Sequence, residues 1–489
     1  MIQTMRKVPV TESSYPFISA VKPCDLESHG YVEEEFFQTG TANIYDETPD
    51  GKLVVTVPDA PYTTRLLVRR PADPQKFSGN VILEILNASA NFDIDRDWIL
   101  MWRKIVRDGD IYIGITSKGH VVDALKRFDP ERYAPIDWSN PTPERKGPEG
   151  PDFDFMQPYE LGLFWDMLVD LAKVLRRDDD PCNPIAGFGK NWLFLAGWSQ
   201  SGSYLSRIIN TFARLPENRV DGPLFDGYYN SGSGAGNKKL NSYAAGGRMV
   251  FGGLPQGAQL LVSKEPVIAV NTESENRGFG FWHGDADEPE YRFRTWQIPC
   301  SSHDTKYSLL DYYAPIQEDL AKAGVVLTWE GDPKNGVPMD TPYEPIFCAA
   351  MKALIDWARF GIPAPHAPKI ETEVTPTATD KTGQLIANCK DAFGNALGGI
   401  RYPTADCPTA SYQSYTDHPG GGSIQMMFGT AKPFSAAMLA ELYGDLGHYK
   451  ELAAASTDRA IAQGFILPED RAWMIDAATE IARSRGLEE

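Results

Sequence analysis

A serine held at a tight corner between a strand and a helix can serve as a nucleophile, and residues 193–203 spell out such a corner. They read Leu193-Phe194-Leu195-Ala196-Gly197-Trp198-Ser199-Gln200-Ser201-Gly202-Ser203. An apolar run of strand formers leads straight into a helix, so the backbone at the corner is strained and only small residues fit two places before and after it. Gly197 and Ser201 hold those places around Ser199, and Gly202 lets the helix lie close to the sheet. Ser201 stands where the usual pattern has a second glycine and is itself a rival nucleophile. The register from the strand end favours Ser199. The helix N-terminus beside it suits developing negative charge.

A serine needs a base and an acid to activate it, and with this corner the chain order is serine, acid, histidine. Of the seven histidines, His29 and His120 precede the serine. His303 follows the strand-like Arg294–Ile298 through Pro299-Cys300-Ser301-Ser302, where a last strand would deliver an imidazole. His283 comes too soon after the acid region. His418, in His418-Pro419-Gly420-Gly421-Gly422, resembles an oxyanion loop but falls too late in the chain. His366 and His448 are read as ordinary surface or core residues. The acid is expected after the strand Val267–Thr272, where Glu275 and Glu273 are both available; the count from Pro266 favours Glu275. The backbone N–H of Gln200 should serve the oxyanion, with a second donor from Asn87-Ala88-Ser89-Ala90-Asn91, where Ser89 or Ala88 is the choice. Asp285 and Asp287 near His283 would be the only hint of a metal site, but the spacing matches no ligand motif.

These residues together resemble a family of α/β-hydrolase-domain proteins whose substrates are mostly unassigned. The resemblance rests on Leu86-Asn87 followed by small residues and Asp97-Trp98, and on a G-[WF]-S-Q-[ST]-G elbow at Gly197–Gly202. It also rests on Thr272–Glu275, Ser302-His303 and the block Asp391–Arg401. It covers roughly residues 30–430 and implies the α/β-hydrolase fold, a Ser–acid–His triad and esterase-like activity without a cofactor. The family's Asp is Glu275 here, and its Gly-rich loop is represented by Asn87–Asn91. The expected reaction is cleavage of a carboxylic ester through an acyl-enzyme. Amide cleavage or acyl transfer by the same triad, and a non-catalytic binding protein on the same scaffold, are the alternatives.

The elements that must position these residues follow from hydrophobic periodicity. Strands are expected at Gly30–Ala42, Tyr62–Val68, Asn80–Leu86, Ile111–Thr116, Asn191–Ala196, Pro266–Asn271 and Thr295–Ile298. Helices are expected at Trp98–Arg107, Pro158–Arg176, Ser201–Arg214, Leu310–Ala323 and Ile346–Phe360. Their alternation gives an α/β fold with a mostly parallel central sheet flanked by helices. A proline-rich stretch, residues 118–157, breaks the pattern as an insertion and an ordered lid. Residues 1–365 then form the core. Residues 366–489 form an extension, mixed at first, with helices at Ser435–Leu442, Leu446–Gln463 and Glu469–Arg485. The loops Ser231–Leu261 and Arg277–Tyr291 are expected to wall the pocket, and their aromatics would suit an aromatic or bulky small-molecule ester.

Composition sets outer limits. With 489 residues, 42% apolar and 23% charged, the chain is that of a globular protein. A formal charge of −19 argues against nucleic acid or an anionic membrane surface as partner. No apolar run is long enough to span a bilayer, and Met1–Lys7 lacks the apolar stretch of a signal peptide. The six cysteines show no metal-ligand spacing and read mostly as buried thiols. Compartment and oligomeric state stay open.

Overall fold

The computed structural model describes residues 1–145, 147, 157–220, 222–234, 238–244, 262–276, 284–329, 336–374, 386–414 and 428–489. His283, His418 and large parts of both expected pocket-wall loops lie outside the described residues. Among the described residues ten strands form one sheet: β1 (Ile2–Val8), β2 (Tyr31–Glu47), β3 (Leu53–Pro71), β4 (Asn80–Ile85), β5 (Ile111–Ile115), β6 (Trp192–Trp198), β7 (Gly227–Ser231), β8 (Val267–Thr272), β9 (Ala286–Glu288) and β10 (Tyr291–Ile298). Their spatial order is β1-β2-β3-β5-β4-β6-β7-β8-β10-β9. The run β5-β4-β6-β7-β8-β10 is parallel, and β1, β2, β3 and β9 pair antiparallel at the two sides.

Parallel strands need covering on both faces, and β7 shows how this is done. Successive residues of a strand point to opposite faces. Tyr229 Oη donates to Phe347 O on a helix at Glu344–Phe360, whereas Asn230 Nδ2 donates to Gly202 O on a helix at Gln200–Asn210. Those two helices therefore cover opposite sides of the sheet. In chain order the principal helices are α1 (Arg96–Asp108), α2 (Phe164–Leu175), α3 (Gln200–Asn210), α4 (Glu344–Phe360), α5 (Ala436–Tyr443), α6 (Leu446–Ala462) and α7 (Arg471–Ser484). The parallel register aligns the C-terminal ends: Trp198 pairs with Ser231, Ser231 with Val270, and Thr272 with Ile298. The loops leaving β4, β6, β8 and β10 thus emerge at one edge, where a site can be assembled from distant parts of the chain.

The expected helix over Leu310–Ala323 is instead a π turn at Tyr307–Asp311, a 3₁₀ turn at Ala314–Ile316 and a short helix at Gln317–Lys322. Pro315 has no N–H to continue a helix. Residues after 117 begin with a 3₁₀ turn and a helix at Val122–Phe128, and Tyr133, Ile136 and Trp138 are buried. The C-terminal helices join the rest through Ala460, Phe465, Ile466 and Met474, which belong to the main core. Cys407, Leu439, Tyr449 and Ala478 make a smaller core of their own. All six cysteines are free, four of them buried.

Charges are buried on β3. Arg65 and Arg69 have no exposed side-chain surface. Arg65 pairs with Glu35 at 2.5 Å and Asp93 at 3.1 Å, and Arg69 with Glu33 at 2.7 Å and Asp95 at 2.5 Å. Removing one partner of such a pair leaves an unmet charge in low dielectric. Arg69→Met should lower unfolding free energy by about 3–5 kcal/mol in urea titration, and adding Asp95→Asn should restore part of that loss.

Candidate active site

Between β6 and α3, Ser199 has φ +55° and ψ −118°. A non-glycine residue there costs on the order of 1–3 kcal/mol and persists only when its neighbours over-determine it. Here Ser199 N–H donates to Ser231 O at 2.8 Å, and Asn87 Nδ2 donates to Trp198 O at 2.9 Å. A Cβ on Gly197 would lie 2.8 Å from Ser201 O, and one on Gly202 would lie 2.5 Å from Ser233 Cβ. Gly197 is therefore imposed by the close approach of the α3 backbone, and Gly202 by the Ser233 and Asn230 side chains packed against it. Ser201 is fully buried, its Oγ donating to Leu86 O at 3.2 Å and accepting from Lys118 Nζ at 2.8 Å. The rival hydroxyl is sequestered, while Ser199 is half-buried at the edge of the sheet.

His303 follows β10 and is 5% exposed. Its Nδ1 lies 2.6 Å from Glu275 Oε1, and Glu275 Oε2 accepts from Thr272 N–H at 2.6 Å and Thr272 Oγ1 at 2.7 Å. Glu273 faces elsewhere, accepting from Cys300 N–H at 2.9 Å and Asn388 Nδ2 at 3.2 Å. The structure thus brings Glu275 to the imidazole and sets Glu273 to fixing the start of the His303 loop. Trp198 Nε1 donates to His303 Nε2 at 3.2 Å. An indole nitrogen can only donate, so Nε2 is unprotonated and the ring proton sits on Nδ1, facing Glu275. Among the described residues Ser199 Oγ makes no hydrogen bond to His303; the acceptor that a general base would offer is held by Trp198. Hydrogen bonds of this kind are commonly loose before substrate arrives.

The loop after β4 is organised by Asn87. Its Oδ1 accepts from Ser89 N–H at 2.8 Å while its Nδ2 reaches Trp198 O. Ser89 N–H is therefore already committed, whereas Ala88 N–H has no protein acceptor among the described residues. Gln200 N–H is the first of α3 and has no acceptor within the helix. Of the expected oxyanion donors, Gln200 and Ala88 are thus uncommitted and Ser89 is not. Of the other described histidines, His120 lies 3.1 Å from Ala88 O in the loop after β4, while His29 is edge-on to Trp102, His366 lies 3.0 Å from Asp285 and 3.1 Å from Asp287, and His448 lies 3.5 Å from Glu451. No group of three or more metal-ligating side chains is placed to hold an ion among the described residues.

Residues 4–476 match the family model for the alpha/beta hydrolase domain. The chain belongs to the α/β-hydrolase domain family. No curated protein matches it. Similar solved structures include esterase Est22, at 12% identity, TM-score 0.31, covering 62% of this chain and 81% of that one. Another is a glucuronoyl esterase from Solibacter usitatus, at 12% identity, TM-score 0.29, covering 65% and 86%. A third is an alpha-beta serine hydrolase homologue from Coxiella burnetii, at 6% identity, TM-score 0.25, covering 58% and 95%. No helix among the described residues is long and apolar enough to cross a membrane.

The site also rests on residues that the motifs at Ser199, Glu275 and His303 do not announce. Ser231, which receives the Ser199 N–H, donates its own Oγ to Asp97 Oδ1 at 2.6 Å. Glu84 accepts from Asp97 N–H at 2.9 Å, Trp98 N–H at 3.0 Å and Tyr112 Oη at 2.8 Å. Burial lifts the Asp97 carboxyl to about 7, and burial with the nearby Asp97 charge lifts Glu84 well above the carboxylate range. The one readable signal was the Asp97-Trp98 pair at the head of a helix. A folded-state pKa above the unfolded one means that the native protein binds more protons between the two, so the stability contribution is complete below about pH 4 and is lost as pH rises towards 7. Asp97→Asn should therefore flatten the fall in urea midpoint between pH 4.5 and 8, measured as the difference from the unmodified protein.

Proposed function

We propose that this hydrolase cleaves carboxylic esters of small molecules through an acyl-enzyme on Ser199. The observation that carries the reading is Ser199 itself, a non-glycine residue at positive φ on the strand–helix corner, one residue from the indole that touches His303. A strain of that kind is maintained at functional corners because it presents the hydroxyl above the sheet edge.

In the reaction, Ser199 Oγ displaces the Trp198 N–H at His303 Nε2 and gives up its proton there as it attacks the ester carbonyl carbon. Glu275 keeps the other ring proton on Nδ1 and offsets the imidazolium charge. Gln200 N–H and Ala88 N–H receive the oxyanion. His303 then protonates the leaving alkoxide as the ester C–O bond breaks. A water, deprotonated by the same nitrogen, attacks the acyl-enzyme and releases the acid with Ser199 restored.

A fluorophosphonate followed by peptide mass spectrometry should place the adduct on Ser199, and p-nitrophenyl esters should be hydrolysed faster than anilides of the same acyl group. Ser199→Ala and His303→Ala should each lower kcat by about 10⁵–10⁶-fold. Glu275→Gln should lower it by about 10³–10⁴-fold, and Glu273→Gln by less than about 10-fold. An adduct on Ser201, or full turnover in Ser199→Ala, would refute the reading.

A further inference from the structure

The N–H of Ala88 is of use to an oxyanion only if its peptide unit cannot turn, and the carbonyls around it are all held. Asn87 O, on the same peptide unit, accepts from Ile94 N–H at 2.8 Å. Leu86 O, one unit earlier, accepts from Ser117 Oγ at 2.6 Å, Lys118 Nζ at 3.0 Å and Ser201 Oγ at 3.2 Å. Ala88 O, one unit later, accepts from Asn91 N–H at 3.0 Å and lies 3.1 Å from His120 Nε2. A carbonyl partner requires that Nε2 carry the proton. Three of these donors, Ser117, Lys118 and His120, come from the five residues that follow β5.

From this geometry we infer that Lys118 and His120 are positioning residues of the oxyanion hole, fixing the direction of Ala88 N–H through the carbonyls of Leu86 and Ala88. Lys118 is 1% exposed and has no carboxylate within ion-pair distance among the described residues. Its Nζ lies 4.5 Å from the centroid of the Tyr204 ring, and its hydrogen bonds go to Leu86 O and Ser201 Oγ. A buried lysine without a carboxylate at hand is costly to keep unless its donors are needed where they are. Burial also pushes its pKa well down, with Lys238 adding to the effect, and burial pushes that of His120 down to about 4, so the imidazole is neutral near pH 7. Lys118 Nζ joins the nucleophile corner to the loop, since its two acceptors belong one to each. A shift of about 1 Å in such a donor is worth on the order of 10²-fold in rate.

The inference rests on the reaction proposed above, so the test includes Ser199→Ala. Full-length His120→Leu, His120→Gln and Lys118→Met are compared by thermal melting, by hydrolysis of p-nitrophenyl acetate and by inhibition with an aryl trifluoromethyl ketone, whose serine adduct places an oxyanion in the hole. His120→Leu and Lys118→Met should each lower kcat by about 10–100-fold with KM changed by less than about 3-fold, and weaken the ketone by the same factor. His120→Gln, whose amide can donate to the same carbonyl, should return to within about 5-fold of the unmodified enzyme. Two positions are tested, so if one variant fails to fold the other still decides. An unchanged kcat in folded His120→Leu and Lys118→Met beside an inactive Ser199→Ala would overturn this inference alone. So would equal losses in His120→Leu and His120→Gln. Undiminished turnover in Ser199→Ala would bring down the reaction and the inference together.

Discussion

A charge taken out of water inside a protein has to be met there, and β3 carries two such charges four residues apart. Arg65 and Arg69 face a layer in which no solvent reaches them, so the carboxylates that answer them cannot wander. Two of those carboxylates, Asp93 and Asp95, belong to the segment between β4 and α1, the same segment that begins with Asn87 and Ala88. Moving that segment would separate ion pairs in a medium that penalises separation steeply. The loop beside Ser199 is therefore anchored to the sheet behind it, although it has little regular structure of its own.

The rest of the site is tied to this fixed segment. Asn87 reaches Trp198 O, Arg96 forms an ion pair with Asp304 beside His303, and Asp97 receives the Ser231 hydroxyl beneath the corner. Strand ends that are hundreds of residues apart in sequence are thus connected by side chains of one short stretch, residues 87–97. The parallel register brings those ends to one edge, and these contacts fix their relative positions.

Much of this was legible from sequence where the constraint is local. The corner at Ser199 could be read because a tight strand-to-helix turn admits only small neighbours, and Gly197 and Ser201 announce it within five residues. The central strands were legible as short apolar runs. β7 was not, since Gly227-Tyr228-Tyr229-Asn230-Ser231 is polar for a buried strand, and the acceptors of its Asn230 Nδ2 and Ser231 Oγ, Gly202 O and Asp97, lie elsewhere in the sequence. The same is true of β1 and of the outer parts of β2 and β3, where exposure removes the apolar signal. Glu275 could be preferred to Glu273 only by a count from Pro266, because two residues of a short helix differ only in direction, and direction is decided by Cys300 and His303, which arrive later in the chain. Ser89 and Ala88 could have been separated, since an Asn two residues before a Ser can capture its N–H. Lys118 and His120 carried no pattern at all; their meaning lies in which carbonyls they reach.

The contact between Trp198 and His303 has a consequence for how the resting and reacting forms are populated. Nε2 has one lone pair and two claimants, the indole N–H that holds it and the Ser199 hydroxyl that would need it. In the proposed reaction the two arrangements exclude one another, a first form with the base occupied by the indole and a second with it open to the Ser199 hydroxyl. A ligand that gains contacts only in the second form shifts the balance by its differential affinity and no further. Substitutions at position 198 therefore act on that balance as well as on packing, and a side chain without a donor would leave the base available at all times.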